Sequence, residues 1–205
     1  MAITAVAFDF GGVLAAPPMT GLDAYATGLG LPASAFRPFF RGNPMVAALE
    51  TGALSGRDFF KYVCTEAEAR YGVHVDIKVL AAAAAQGEAL NASMIDLVTE
   101  VRERCGTALL TNNVREASWR ATFPFELFDV VVDSSEVGVR KPDPVIYEVL
   151  LERLGRPPHE VAFIDDFAEN LPPAAALGFA TIAFINEQQC RRDLARLGVI
   201  AVPVR

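Results

Sequence analysis

Four clusters of polar residues in this 205-residue chain each follow directly on a short apolar run. Asp9 ends the run 3–8 and is followed by Phe10-Gly11-Gly12. Thr111, Asn112 and Asn113 end the run 107–110. Lys141 lies just past the run 128–132 and the Asp133 that closes it. Asp165 and Asp166 end the run 161–164. Carboxylates brought close together repel one another and call for a cation. A hard divalent ion prefers oxygen ligands of that kind. Hydroxyl, amide and ammonium groups are what phosphate oxygens bind. Taken singly, each cluster has an ordinary reading. Asp9 can be a turn residue, Thr-Asn-Asn a turn or helix cap, and Lys141 before Pro142 a solvated loop lysine. The adjacent acids are more telling, because paired acids at a strand end are costly without a cation.

The elements that must position these groups can be read from the apolar pattern. The four runs, and a fifth at 180–185, are rich in Val, Ile, Leu and Phe and lack strict alternation. That suits parallel strands buried on both faces. Helical stretches separate them. Residues 93–104 place Met94, Leu97, Val98 and Val101 on one stripe. Residues 144–154 do the same with Val145, Val149 and Leu150, with Pro144 in the first turn and Gly155 as a C-terminal cap. Strand–helix alternation predicts an α/β fold with a parallel sheet, whose ligands bind beyond the carboxyl ends of the strands. From about Ala15 to Leu90 the rhythm breaks. Helix-like pieces at 21–29 and 55–71 occur there, the second opened by Ser55-Gly56-Arg57-Asp58, which resembles a capping box. The division expected is a Rossmann-like core, 1–14 and 91–205, interrupted by a helical cap, 15–90.

Composition narrows the function classes. Hydrophobic residues make up 52% and charged ones 21%, enough to bury a core. The formal net charge of -7 repels a phosphate backbone, so no nucleic-acid partner is expected. Mean hydropathy is high at +0.30, yet no apolar run approaches the ~20 residues of a membrane span. The apolar start 3–8 stops too early at Asp9 to read as a signal peptide. Cys64, Cys105 and Cys190 are scattered and odd in number, so a reducing compartment, the cytoplasm, is expected.

The ordered set resembles the haloacid dehalogenase superfamily of phosphotransferases and hydrolases. The matching segments are Phe8-Asp9-Phe10-Gly11-Gly12-Val13-Leu14, Leu110-Thr111-Asn112-Asn113, Val139-Arg140-Lys141-Pro142-Asp143-Pro144 and Phe163-Ile164-Asp165-Asp166-Phe167-Ala168-Glu169-Asn170. The pattern around Lys141 and Asp165-Asp166 is similar to the branch that contains the N-terminal phosphatase domain of soluble epoxide hydrolases. The resemblance implies that Asp9 is a nucleophile that accepts a phosphoryl group. It implies Mg²⁺ held by Asp9, the Gly11 carbonyl and Asp166, with Asp165 supporting them and Asn170 behind. Thr111 and the backbone N–H groups after it, that of Asn112 first, would bind phosphate oxygens, with a helix starting near Val114 aiming its N-terminus there. Lys141 would neutralise charge in the transition state. The partner implied is a small-molecule phosphate ester; oligomeric state is not legible.

One position departs from the resemblance. Phosphatases of this kind usually carry a second Asp two residues after the nucleophile, as general acid and base. Here that residue is Gly11. Three other readings stay open: a metal-free haloacid dehalogenase, a phosphonate hydrolase using Lys61 or Lys78 of the insertion, and a catalytically weak phosphate-binding or regulatory protein. In the insertion, Arg37, Phe39, Phe40 and Arg41 could face a substrate, although Phe39 and Phe40 also read as core and the arginines as solvated. His74 and His159 read as structural or exposed.

Overall fold

Side chains that alternate in and out of the strands divide the sheet's apolar residues between two cores. Val6, Phe8, Leu109 and Ile164 point to one face. Ala5, Ala7, Ala108, Leu110, Val132, Val161 and Phe163 point to the other. Both faces are covered, as the unbroken apolar runs predicted. The computed structural model describes residues 2–16, 19–85 and 89–201.

The chain opens with β1 (Ala5–Phe8) and then leaves the sheet. Helices α1 (Met19–Gly28), α2 (Arg37–Phe40), α3 (Pro44–Glu50), α4 (Gly56–Tyr71) and α5 (Ile77–Ala85) follow. The chain returns through α6 (Ala92–Arg102) and β2 (Gly106–Thr111). Next come β3 (Val130–Asp133), α7 (Ser134–Val137), α8 (Pro144–Leu154) and β4 (Val161–Asp165). The described chain closes with α9 (Leu171–Leu177), β5 (Ala180–Ala183) and α10 (Glu187–Arg196). The five strands form one parallel sheet in the order β3-β2-β1-β4-β5. Helices α6 and α10 cover one face and α8 and α9 the other.

This order sets the site. β1 is central, and the chain moves outward first to β2 and β3 and later to β4 and β5 on the other side. Such a reversal opens a crevice at the strand ends. Phe8 is in register with Leu109 and Ile164, and Thr111 with Asp133. Asp9, Thr111, Asp133 and Asp165 are therefore gathered at one end of the sheet.

The helices between β1 and α6 bury their own cluster, including Leu22, Phe36, Phe39, Phe59, Val63 and Leu80. Ser55 caps α4 by accepting from the Asp58 N–H at 3.1 Å and donating to the Asp58 carboxylate at 2.7 Å. The two strands of chain that lead out and back lie side by side, with Ala16 N–H bonded to Ala89 O and Asn91 N–H to Leu14 O. Two expectations need correction. The buried stripe of α8 is Ile146, Tyr147 and Leu150, and Val145 is exposed, because the stripe lies one position further along the helix turn than the sequence pattern placed it. No helix starts near Val114. Asn113 Oδ1 accepts instead from the Val114 N–H (2.7 Å) and the Trp119 indole (3.2 Å), and Trp119 stacks on Phe10, so the chain crosses the site as a loop until a 3₁₀ turn at Ser118–Ala121. No helix among the described residues is long and apolar enough to cross a membrane.

Candidate active site

A buried ion network begins at Asp9. The Lys141 ammonium donates to Asp9 Oδ1 at 2.7 Å and to Asp165 Oδ2 at 2.6 Å. All three residues are buried. Asp165 also accepts from both the Asn170 amide, at 3.0 Å to each oxygen, and the Phe167 N–H at 2.7 Å. Tyr147 in turn donates to the Asn170 carbonyl at 2.6 Å. Each member is thus held by the next, with the two Asp165 oxygens shared among Lys141, Asn170 and Phe167. Burial alone would lower the lysine, but Asp9 and Asp165 outweigh it and keep its pKa above the ordinary value. Burial is the largest of the influences that together leave the Asp9 carboxyl raised, at about 7. Lys141 pulls it down, and the charges of Asp165 and Asp166 push it up again.

Asp166 completes a triad of acids. Carboxylate oxygens of Asp9, Asp165 and Asp166 lie within 4.8 Å of one another. Burial and the Asp165 charge also raise Asp166. Its carboxylate lies over Gly12, which has φ 86°, and a Cβ there would sit 2.2 Å from Asp166 Oδ2. Glycine at position 12 is what lets the two strand ends approach. Three acids against one ammonium leave the cluster short of positive charge, so the donors suit a hard divalent ion.

The Thr111 hydroxyl is buried without a hydrogen-bond partner. An orphaned hydroxyl at this strand end fits an oxyanion ligand. Asn112 does different work from its neighbour. Its Oδ1 accepts from the Lys141 N–H at 2.8 Å and its Nδ2 donates to the Lys141 carbonyl at 2.9 Å. Its side chain fixes the main chain of the lysine. Asp133 accepts from the Ser135 N–H and hydroxyl and pairs with Arg120, which pins the end of β3.

A family model described as haloacid dehalogenase-like hydrolase matches residues 3–178. The chain belongs to that family. It is 30% identical to bifunctional epoxide hydrolase 2 of Sus scrofa over 96% of its own length, and spans 39% of that relative. A predicted HAD-like family hydrolase from Porphyromonas gingivalis superposes with a TM-score of 0.76 at 22% identity, covering 96% of this chain and 98% of the other. A HAD family enzyme from Bacteroides thetaiotaomicron, in complex with magnesium and inorganic phosphate, superposes with a TM-score of 0.68 at 23% identity, covering 88% and 93%.

In this member of the family, a cavity of about 810 Å³ lies between the ends of the strands and the inserted helices. Gly11, Asn112 and Asn113 line its floor, and Met19, Val46, Leu49, Phe60, Ala81 and Ala84 contribute apolar wall. Of the four residues singled out in the insertion, Phe40 lines the cavity and Phe39 is buried in the helical cluster. Arg37 pairs with Asp23 on α1. Arg41 lies over the Phe167 ring, 5.8 Å from its centre, and its charge is felt at Asp166. Sequence reasoning missed Glu50, which lines the same cavity and meets Arg140 across the seam at 2.7 Å. No local pattern marks Glu50, because its partner is far away in the sequence.

Proposed function

We propose that the chain is a Mg²⁺-dependent phosphatase acting on small phosphate monoesters, with Asp9 as nucleophile and residues 15–90 as a cap over a core of 1–14 and 91–205. The observation that carries this is the buried Asp9–Lys141–Asp165 network beside Asp166, three acids with one cation. The magnesium and phosphate bound by the Bacteroides thetaiotaomicron neighbour support the same reading. Asp9, Asp166 and the Gly11 carbonyl would hold the ion. When bound, it supplies the positive charge that lets a carboxylate approach an anionic phosphate.

The residues of the chain perform the rest. Lys141 keeps Asp9 oriented and neutralises phosphate oxygens as charge develops on them. Thr111 donates its unpartnered hydroxyl to another oxygen. An Asp9 oxygen forms a bond to phosphorus while the ester oxygen leaves with its electron pair. Water then attacks phosphorus, releasing phosphate and restoring Asp9. The apolar cavity wall favours an ester whose leaving group has an apolar body. The three free thiols fit a cytoplasmic protein.

Gly11 shapes the substrate preference. Without a carboxyl there, general acid help worth roughly 10²–10⁴ in rate is missing. Esters whose leaving oxygen needs no proton, such as aryl, acyl and anomeric phosphates, are therefore preferred over simple alkyl phosphates. Position 11 has room for a side chain as far as the described residues go: none of their atoms lies within 4 Å of a Cβ built there. The test is a series of aryl and alkyl phosphates assayed with Mg²⁺ and with chelator. Rates should rise steeply as leaving-group pKa falls and should vanish in chelator. Undiminished turnover in chelator contradicts the reading; no turnover of any phosphate ester, with halide released from a 2-haloacid in chelator, would favour metal-free dehalogenase chemistry instead.

A further inference from the structure

Two parts of the phosphate site are fastened to one cap residue. Glu50 closes α3 and stands at the seam between cap and core. Its carboxylate Oε2 lies 2.7 Å from Arg140 Nε, the residue immediately before Lys141. The pair is a charge contact, and the Arg140 N–H is not aligned as a hydrogen bond. The field of Lys141 itself reaches Glu50. The Glu50 carbonyl accepts from the Ser134 hydroxyl at 2.6 Å, and that hydroxyl accepts from the Asn113 N–H at 3.0 Å. One residue of the cap thus touches the lysine segment through its side chain and reaches the Thr111-Asn112-Asn113 loop through its main chain and the Ser134 hydroxyl.

The surrounding seam is tight. Gly52 has φ 74°, and a Cβ there would lie 2.8 Å from the Ser135 carbonyl, which also accepts from Arg115 at 2.8 Å. The cap is therefore seated on α7 without a side chain between them. On the core side, Asn112 grips both the N–H and the carbonyl of Lys141. Glu50 and Asn112 hold the same short segment from opposite sides, one from the cap and one from the core.

We propose that Glu50 is a positioning residue: through Arg140 and Ser134 it couples seating of the cap to the placement of Lys141 and the phosphate-binding loop. Its carboxylate is turned to Arg140, and no contact between it and Asp9 occurs among the described residues, so its contribution is geometric. A small displacement of a reacting group is enough to slow chemistry. This inference rests on the phosphatase reading for its kinetic arm only.

The test is a double-mutant cycle on the full chain, assayed with nitrophenyl phosphate and Mg²⁺. Glu50→Gln and Arg140→Gln should each lower kcat by about tenfold, as expected for loss of alignment, with a smaller change in KM. The double variant should be no worse than either single one, because both remove the same contact. Arg140→Lys should retain kcat within about twofold, since it keeps the charge. Arg37→Gln, which breaks an ion pair wholly within the cap, should leave kcat unchanged. Amide exchange gives an arm independent of turnover: Glu50→Gln should speed exchange at Lys141 and Asn113 while the midpoint of unfolding moves little. Additive losses, or unchanged kcat with unchanged exchange, overturn the proposal. A loss at Glu50 alone that grows with leaving-group pKa also overturns it, since that would make Glu50 a proton donor. If the wild type turns over no phosphate ester, the phosphatase reading fails, and the exchange result still decides the coupling.

Discussion

The core and the cap solve the problem of burial in opposite ways. Every buried polar or charged residue among the described ones, from Asp9 and Thr111 to Lys141, Asp165 and Asn170, belongs to the sheet domain. The centre of the cap is apolar, with Phe36, Phe39 and Phe59 fully buried, and pairs such as Arg37–Asp23 and His74–Glu68 lie towards solvent; its Glu50 carboxylate is the group that burial reaches, at the seam. Buried charge is costly unless paired, so its presence in one region marks where the fold has given up stability for chemistry. Within the cap such a conflict is confined to the seam, where Glu50 Oε2 is buried beside Arg140; the rest of the cap contributes apolar residues to the cavity wall.

The contrast can be broken most severely at Lys141. Lys141→Gln should lower kcat by at least about 10²–10³-fold, since it removes the cation that neutralises the phosphate. It should also destabilise the metal-free protein by about 3–5 kcal/mol, because Asp9 and Asp165 lose their shared partner. Steady-state kinetics and denaturant unfolding measure the two effects. A cap substitution such as Phe59→Ala should cost a similar about 3–5 kcal/mol through its cavity, yet leave kcat of the folded fraction near that of the wild type.

A second effect has the opposite sign. The folded-state pKa of Asp9 lies near 7, above its ordinary value of 3.8. A raised pKa contributes stability below the ordinary value that is lost as pH rises through the folded one. Asp9→Asn should therefore stabilise the metal-free protein at pH 8 by on the order of 1–3 kcal/mol, and by little at pH 4. Mg²⁺ should shrink the difference by stabilising the wild type. Thermal midpoints with and without chelator at the two pH values test this. A variant less stable than the wild type at pH 8 would show that Asp9 is not strained.

The smallest expected effect sharpens the role of the cap. Ala84 lines the cavity, and Ala84→Phe should fill part of it. It should lower kcat/KM for a bulky apolar aryl phosphate by about tenfold, while inhibition by inorganic phosphate stays unchanged. Equal losses for large and small esters would mean that the cavity does not receive the leaving group.

The same division governs what could be read from the sequence. Asp9, Thr111 and Asp165 were legible because each ends an apolar run, and a parallel sheet brings such ends together. Lys141 and Asp166 followed from the order of the motifs. What escaped depends on contacts across the chain. The work of the Asn112 side chain is one such case: its amide holds the main chain of Lys141, 29 residues later. The expected helix after Asn113 is a loop, with Trp119 stacked on Phe10 at its far end, a contact between distant parts of the chain. Arg37 and Arg41 look alike in sequence. One turn of helix separates them, and that turn sends one to Asp23 and the other to Phe167. Glu50 carries no local signal at all, since only the folded seam brings it to Arg140.

The central claim is that Asp9 takes up the phosphoryl group. The direct measurement is a single turnover of nitrophenyl phosphate in Mg²⁺, quenched in acid, with mass spectrometry of the peptide that bears Asp9. The wild type should show a phosphoryl-mass increment on Asp9, absent in chelator and absent in Asp9→Asn. Phosphate release with no increment on that peptide at any quench time, and undiminished release by Asp9→Asn, would contradict it.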